Sequence, residues 1–506
     1  MKKILKSTYY TSVTILFLLI AVAGLTQTKT FRSYLRTIAI DELTTIVDGT
    51  VEFRTIEGNL VTGLQLNDVI ISRKGREILS ADRLEARYDL SSMFLDRVSI
   101  SRLTLVRPRI HLWRGLDGQW NVDGLIIAAD EEDTSTSPLT LDFRRIELLS
   151  ASVDMIDSLA LAERIPEEDS DIRPETFDYA QISVNPLSMH AALHVSSEGI
   201  LVSIRSLEAE SVRPDFHLLE LSGQALLTPD LTQVKSLSVR TKDSRLSLDA
   251  RISGIDIAAI SNIRQLESAP LDLKLSVDRL SFNEFRKFLP GPVDFLDHSA
   301  AFDINATGTL GNLNIREVSV RTPRTYVRIQ GTMRNVHRPP LLEMDLAAQD
   351  NIIHPEDLPH LLPGLELPDF RSVGILNCNL HFQGSPSRFK AFVGGRISAG
   401  EFTADADLDL RKGFAYSGTI TTAGLDLGSL LDDDYLSSSL TTTSTIAGSG
   451  TSLNTLTAVF RLEADSSAIL DRPVSKSVVV VDVADQSLRT NLLLNVGETR
   501  IDLNAR

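Results

Sequence analysis

Three aspartates in one short segment have the residue type and spacing that acid–base chemistry uses. Asp405, Asp407 and Asp409 alternate with small or apolar residues across residues 404–410. Alternate residues of a β-strand point to the same face, so a strand here places all three carboxylates together. A pair of carboxylates can act as general acid and general base. The alternation is equally that of a strand with one solvated face, and we interpret the aspartates in that way.

Other candidate groups lack the partners that their chemistry requires. Cys378 is the only cysteine, which excludes an internal disulfide framework, and its apolar surroundings predict a small core residue on a strand. His354 and His360 fall in one segment but lack the i, i+4 spacing of a metal-binding helix. The run Asp432–Asp434 lacks the alternating carboxylates and the glycine of a calcium loop. We therefore predict no catalytic residue, no cofactor and no metal site, and a protein that is not an enzyme.

Charge excludes one class of partner. The 506 residues carry a formal net charge of −16, whereas a nucleic-acid-binding protein needs a basic surface. Apolar residues make up 42% of the chain, enough for a folded protein.

The first 28 residues predict a membrane anchor. Lys2, Lys3 and Lys6 precede an uncharged run, Ser7–Thr28, that is long enough for a helix to cross a bilayer. Lysines on that side predict a cytoplasmic N-terminus, a single span and an exported body. The alternative is a cleaved signal peptide, because small residues at 21–24 follow the apolar run. The anchor residues are Val13, Ile15, Leu16, Phe17, Leu18, Leu19, Ile20, Val22 and Leu25.

Beyond the anchor, the apolar period changes from that of a helix to that of a strand. Residues 29–49 predict an amphipathic helix, and from Thr50 apolar and polar residues alternate along most of the chain. We predict a mainly β fold, an elongated antiparallel sheet array with a few short helices. Its segments are 1–28 (anchor), 29–49 (helix), 50–127 (first β region), 128–138 (acidic linker) and 139–506 (repetitive β region).

The repetitive region predicts one continuous apolar surface. The segment Leu237–Ile252 aligns with Val318–Met333 at an offset of 81 residues, and Leu-Pro-Gly recurs 73 residues after its first copy. Strands in groups with a short helix between groups give a quasi-repeat of roughly 75–85 residues. The surface is either filled by protein, as in a sandwich or barrel, or left partly open as a groove. Its candidate residues are Leu246, Leu248, Leu271, Leu273, Leu275, Val277, Val327 and Ile329.

Three motifs in the first β region carry a resemblance to a known family. They are the hairpin Ile56–Val69, the pair of strands split by Pro108 within Tyr88–Leu112, and the turn Asp117–Asn121. Together with the anchor and the helix, they resemble the AsmA-like superfamily of bacterial envelope proteins, in particular its TamB branch. The sequence departs from that branch at its end, because it stops at residues 504–506 in the middle of a strand-like run, without the C-terminal domain that the branch is expected to have. The alternatives are a short relative of the branch and an incomplete chain.

The resemblance implies both a location and a function. It implies a curved, taco-like β-groove in the periplasm, tethered to the bacterial inner (cytoplasmic) membrane. The groove would bind phospholipid and conduct it between the inner and outer membranes, contributing to outer-membrane homeostasis. The alternative is a scaffold or chaperone for assembly or secretion of outer-membrane proteins, with an outer-membrane barrel protein as its partner.

Overall fold

The protein is mainly β-sheet. The computed structural model describes residues 47–59, 63–88, 97–125, 140–163, 177–212, 214–256, 263–288, 299–357, 373–411, 414–450, 456–484 and 486–506. These residues form 28 strands and only short helices, and none of the described helices has the length and apolar content needed to cross a membrane. The predicted anchor, nearly all of the predicted amphipathic helix and the acidic linker lie outside the described residues.

The chain divides into two compact units. Unit 1 comprises residues 1–245 and 284–293, and unit 2 comprises residues 246–283 and 294–506.

Unit 1 contains the first eleven strands and one short α-helix, α1 (Ser158–Glu163). The strands are β1 (Thr50–Glu52), β2 (Thr55–Asn59), β3 (Gly63–Arg73), β4 (Arg76–Tyr88), β5 (Arg97–Val106), β6 (Arg109–Arg114), β7 (Thr140–Asp157), β8 (Gln181–Ser196), β9 (Gly199–Val212), β10 (Asp215–Thr228) and β11 (Leu231–Thr241). Near its start, Val51, Phe53, Ile56 and Val69 form a buried cluster.

One part of unit 1 corrects the prediction of a purely antiparallel array. The strands β5 and β6 are separated at Pro108, as predicted, and both pair with β7 in parallel. A parallel connection needs a dozen or more residues between the two strands, and the sequence interval between β6 and β7 is longer than that. The strands from β7 to β11 then pair antiparallel with their neighbours.

Unit 2 contains the remaining strands. They are β12 (Arg245–Ser253, of which Arg245 belongs to unit 1), β13 (Leu271–Ser281), β14 (Ser299–Thr309), β15 (Asn312–Arg321), β16 (Tyr326–Arg334), β17 (Glu343–Ile353), β18 (Leu376–Ser385), β19 (Arg388–Ile397), β20 (Gly400–Asp409), β21 (Ala415–Leu425), β22 (Ser438–Ser449), β23 (Thr457–Ala464), β24 (Ser467–Ile469), β25 (Arg472–Val474), β26 (Ser477–Ala484), β27 (Ser487–Val496) and β28 (Thr499–Ala505). From β13 to β23 each strand pairs antiparallel with the next, and β23 continues through β26 and β27 to β28.

The order of elements along the chain repeats every four strands. Each repeat has two strands joined by a tight turn, a third strand ending in a short helical segment, and a fourth strand. The helical segments are α2 (Phe282–Phe285), a 3₁₀ turn (Pro355–Asp357) and α3 (Leu427–Leu431). The repeats open with β11, β15 and β19 at residues 231, 312 and 388, that is, 81 and 76 residues apart. This spacing confirms the predicted quasi-repeat.

Candidate functional site

The predicted groove residues of β13 and β16 lie in common rows across the sheet. In an antiparallel ladder, directly paired residues point to the same face. Leu275 pairs with Ile304, which continues through Val318 to Ile329. The next row joins Val277 to Val327 in the same way, through Phe302 and Val320. Residues about 50 positions apart in sequence therefore share one surface.

The first of these rows continues along the ladder from β13 to β28 and stays apolar at all but one position. We call it the apolar row, its side of the ladder the apolar face, and the opposite side the polar face. The apolar row consists of Leu275, Ile304, Val318, Ile329, Ala348, Leu380, Val393, Ala404, Ile420, Ser444, Leu462, Val479, Leu492 and Leu503. It crosses fourteen strands, which at ~4.8 Å per strand is a path of about 60 Å along the sheet.

Large side chains of the apolar face are only partly buried. Among the predicted groove residues, Val277 is buried at 1% exposure, whereas the leucines of β12 and β13 and the two residues of β16 are half-buried. Farther along the apolar row, Ile420 is 46% exposed and Leu503 is 48% exposed. Inward side chains of a sandwich core are mostly buried and packed at crystal-like density. The described part of unit 2 instead leaves large apolar side chains in contact with solvent.

The polar face carries charged side chains that pair with one another. On it, Lys390 Nζ lies 4.0 Å from Asp407 Oδ2, and Arg388 Nε lies 3.8 Å from Asp409 Oδ2. Hydrogen bonds from Arg411 hold the pKa of Asp409 well below its ordinary value. The aspartates predicted to lie on a solvated strand face are thus on the face opposite the apolar row.

Asp303 on the polar face bonds to side chains of three different residues. Its oxygens accept hydrogen bonds from Ser276 Oγ at 2.5 Å, from Arg321 Nη2 at 2.5 Å and from Ser319 Oγ at 3.2 Å. Burial raises its pKa, but these hydrogen bonds and the charge of Arg321 outweigh that effect, so the pKa lies below its ordinary value. The polar side chains of β13, β14 and β15 are therefore joined by a carboxylate that stays ionised.

Two buried carboxylates connect the short helical segments to the hairpin turns. In unit 1, Glu284 of α2 accepts hydrogen bonds from Thr241 Oγ1 at 2.5 Å and from Ser244 Oγ at 2.6 Å. In unit 2, Asp357 accepts hydrogen bonds from Thr322 Oγ1 at 2.6 Å and from Thr325 Oγ1 at 2.7 Å.

These two contacts occupy equivalent places in successive repeats, because each turn begins with threonine and ends with a second hydroxyl residue. We call this arrangement the carboxylate–turn contact. It links the turn to the helical segment in the two repeats that open with β11 and β15.

The other candidate groups do not assemble into a reactive site in the described residues. Cys378 is confirmed as a small core residue: it lies on β18, is 4% exposed, and burial raises the pKa of its thiol. Asp432 has a left-handed backbone at the end of α3, and Asp433 accepts a hydrogen bond from the Tyr435 amide. His360 lies outside the described residues. Within the described part of the chain, no group of three or more metal-ligating side chains comes together.

The polar face of unit 2 also has a cleft that the sequence did not indicate. Its volume is about 960 Å³, and Phe392, Asn379, Arg396 and Thr403 are among its lining residues. The predicted groove residues do not line it.

A comparison of the chain with protein-family models, with curated proteins and with solved structures gives no match.

Proposed function

We propose that unit 2 binds the acyl chains of phospholipid along its apolar face. The observation that carries the proposal is the apolar row, which is continuous over fourteen strands while its large side chains remain partly exposed. Water-exposed apolar surface of this extent marks a binding surface. Each acyl methylene that the face buries contributes ~0.8 kcal/mol.

Only one face of the ladder is suited to the acyl chains of a lipid. Opposite the apolar row, residues such as Lys274, Arg328 and Asp407 face water, and leaving water would cost these charges several kcal/mol each. Acyl chains therefore stay on the apolar face, and the lipid headgroup stays at its solvated margin.

The cellular role rests on the sequence resemblance. We propose a periplasmic protein of the AsmA-like, TamB type, anchored in the cytoplasmic membrane, that conducts phospholipid between the two membranes. A continuous row supports conduction better than a closed pocket would, because a bound chain can slide from strand to strand without leaving an apolar environment.

Photo-crosslinking from neighbouring positions tests the lipid proposal. A photoreactive residue at Leu273 on the apolar face is expected to capture phospholipid, and the same residue at Lys274 on the polar face is not. Leu462 and Arg461 provide a second matched pair on β23, which is ten strands from β13 along the ladder. Equal lipid labelling at both members of each pair would contradict the proposal.

Capture of an unfolded outer-membrane barrel protein at Leu273 and Leu462, without lipid, would favour the scaffold function instead. Mass spectrometry of the crosslinked species separates the two results.

A further inference from the structure

Phe392 is a large apolar side chain on the polar face. Its neighbour Val393 belongs to the apolar row, so Phe392 points to the opposite side, where it is 36% exposed. Its directly paired neighbours there are His381 on β18 and Asp405 on β20. The ring of Phe392 is therefore an exposed apolar surface among polar side chains.

A glycine allows the Phe392 ring to lie along the sheet. Gly394 is the next residue on the same face of β19, and a Cβ atom at that position would lie 3.0 Å from Cζ and 3.3 Å from Cε1 of Phe392. Any larger residue at 394 would push the ring away. The ring thus rests against the backbone at Gly394, and together they line the 960 Å³ cleft.

Hydrogen-bonding groups surround this ring. Asn379 pairs with Gly394 and accepts the Asp350 amide at 2.9 Å through Oδ1, which leaves its two amide N–H donors for a ligand. Thr403 and Thr421 bond to each other through their hydroxyls on the far side of Gly394.

At the edge of the cleft, the guanidinium of Arg396 is paired with Glu401. Two carboxylates, Asp350 and Glu401, and one guanidinium, Arg396, line the cleft, so its charge does not favour an anionic ligand.

We propose that this cleft binds a saccharide, with one pyranose ring stacked on Phe392. A pyranose ring has an apolar C–H face that packs on an aromatic ring, and hydroxyl groups at its rim that exchange hydrogen bonds with amides and hydroxyls. The cleft presents both elements side by side. Its volume is at the upper end of the range for small-molecule sites, so an oligosaccharide fits. Because the cleft is on the polar face, this proposal does not depend on lipid binding by the apolar face.

NMR titration of the full-length protein tests the saccharide site. The probes are chitotriose and maltotriose at millimolar concentration, and the detergent must have no sugar headgroup, because such a headgroup would compete. Binding of either probe is expected. Phe392→Ala is expected to weaken binding by roughly three- to tenfold, the size of an aromatic stacking contribution. Gly394→Val is expected to weaken it as well, by displacing the ring.

Phe389→Ala is the matched control. Phe389 lies on the same strand, but it pairs with Leu408 on the apolar face, so its removal is expected to leave saccharide affinity unchanged. Absence of binding for both probes would overturn the proposal, and so would equal losses in the Phe392 and Phe389 variants. An unchanged circular dichroism spectrum and an unchanged thermal unfolding midpoint show that the Phe392 variant is folded.

Discussion

The carboxylate–turn contact at Asp357 yields a prediction whose size follows from its hydrogen bonds. Thr325 is 2% exposed; its hydroxyl donates to Asp357 Oδ2 at 2.7 Å and accepts the His354 amide at 3.0 Å. Thr325→Val keeps the shape of the side chain and removes both bonds. A hydrogen bond to a charged group contributes about 1.5–3 kcal/mol and a neutral one about 0.5–1.5 kcal/mol. We therefore expect a loss of roughly 2–4 kcal/mol in local stability.

Hydrogen-exchange mass spectrometry measures this loss where it occurs. Local opening sets amide exchange, and 1.4 kcal/mol corresponds to about a tenfold change, so peptides from the β15–β16 turn should exchange roughly 30-fold faster or more. The control is Thr332→Val: Thr332 is exposed on β16, and its hydroxyl has no hydrogen bond in the described structure. Less than a threefold change in the Thr325 variant, or the same change in the control, would refute the reasoning.

The same contact has a predicted pH dependence. Burial raises the pKa of Asp357. Hydrogen bonds from Thr322 and Thr325 and the charge of Arg324 lower it by more than burial raises it, so the pKa lies below its ordinary value. A carboxyl whose pKa is lower in the folded than in the unfolded state stabilises the fold above the unfolded value, and this stabilisation is lost as pH falls through the folded value. Protection of the turn should therefore decrease in acid. Thr325→Val removes a hydrogen bond that lowers the folded-state pKa of Asp357, so in that variant the decrease should be smaller and should be complete at a higher pH.

Three further predictions concern unit 2. Val277→Ala removes two buried methyl groups and should lower the free energy of unfolding, measured by urea denaturation, by about 2 kcal/mol. Lys274 is exposed, so Lys274→Ala should change this free energy by less than about 0.5 kcal/mol. Equal effects of the two substitutions would contradict the assignment of faces. Gly331 has a φ of +145°, and a Cβ at this position would lie 2.0 Å from a carbonyl oxygen of β17, so Gly331→Ala should destabilise the fold by roughly 2–3 kcal/mol. A Cβ at Gly254 would have no atom within 4 Å, so Gly254→Ala should destabilise it less, and thermal unfolding measures both effects. Asp303→Asn should be less stable than wild type at pH 7, and the difference should shrink in acid, where the wild-type carboxylate is also neutral; a constant difference would exclude this charge effect.

Much of the sheet could be predicted because the alternation of side chains is local information. Two strands are separated at Pro108 as the sequence predicts, and the leucines of β13 alternate with exposed polar residues as expected. Cys378 was assigned to the core from its immediate neighbours alone. In each of these places one face is apolar over several residues, so a register slip would expose it.

Long-range pairing left no comparable signal in the sequence. A period of two does not encode the direction of the neighbouring strand, so the parallel pairing of β7 was missed. The carboxylate–turn contacts join residues 32 to 43 positions apart, such as Thr325 with Asp357 and Thr241 with Glu284. The polar-face cleft did leave one signal in the sequence. Phe392 comes two positions before Gly394, and on a strand this spacing places an aromatic ring beside a glycine on the same face.

The number of strands in a repeat constrains how proteins of this kind can change in length. Neighbouring strands of the ladder run in opposite directions, so the loss or gain of one strand would reverse every strand beyond it. A block of four is even, and duplication or deletion of a whole block returns the next strand to the same direction with its apolar side chains on the same face. Each block also carries its own short helical segment. Recombination between repeats could therefore change the length of the sheet in steps of about 20 Å, which is four strands at ~4.8 Å each, while the flanking sequence stays the same.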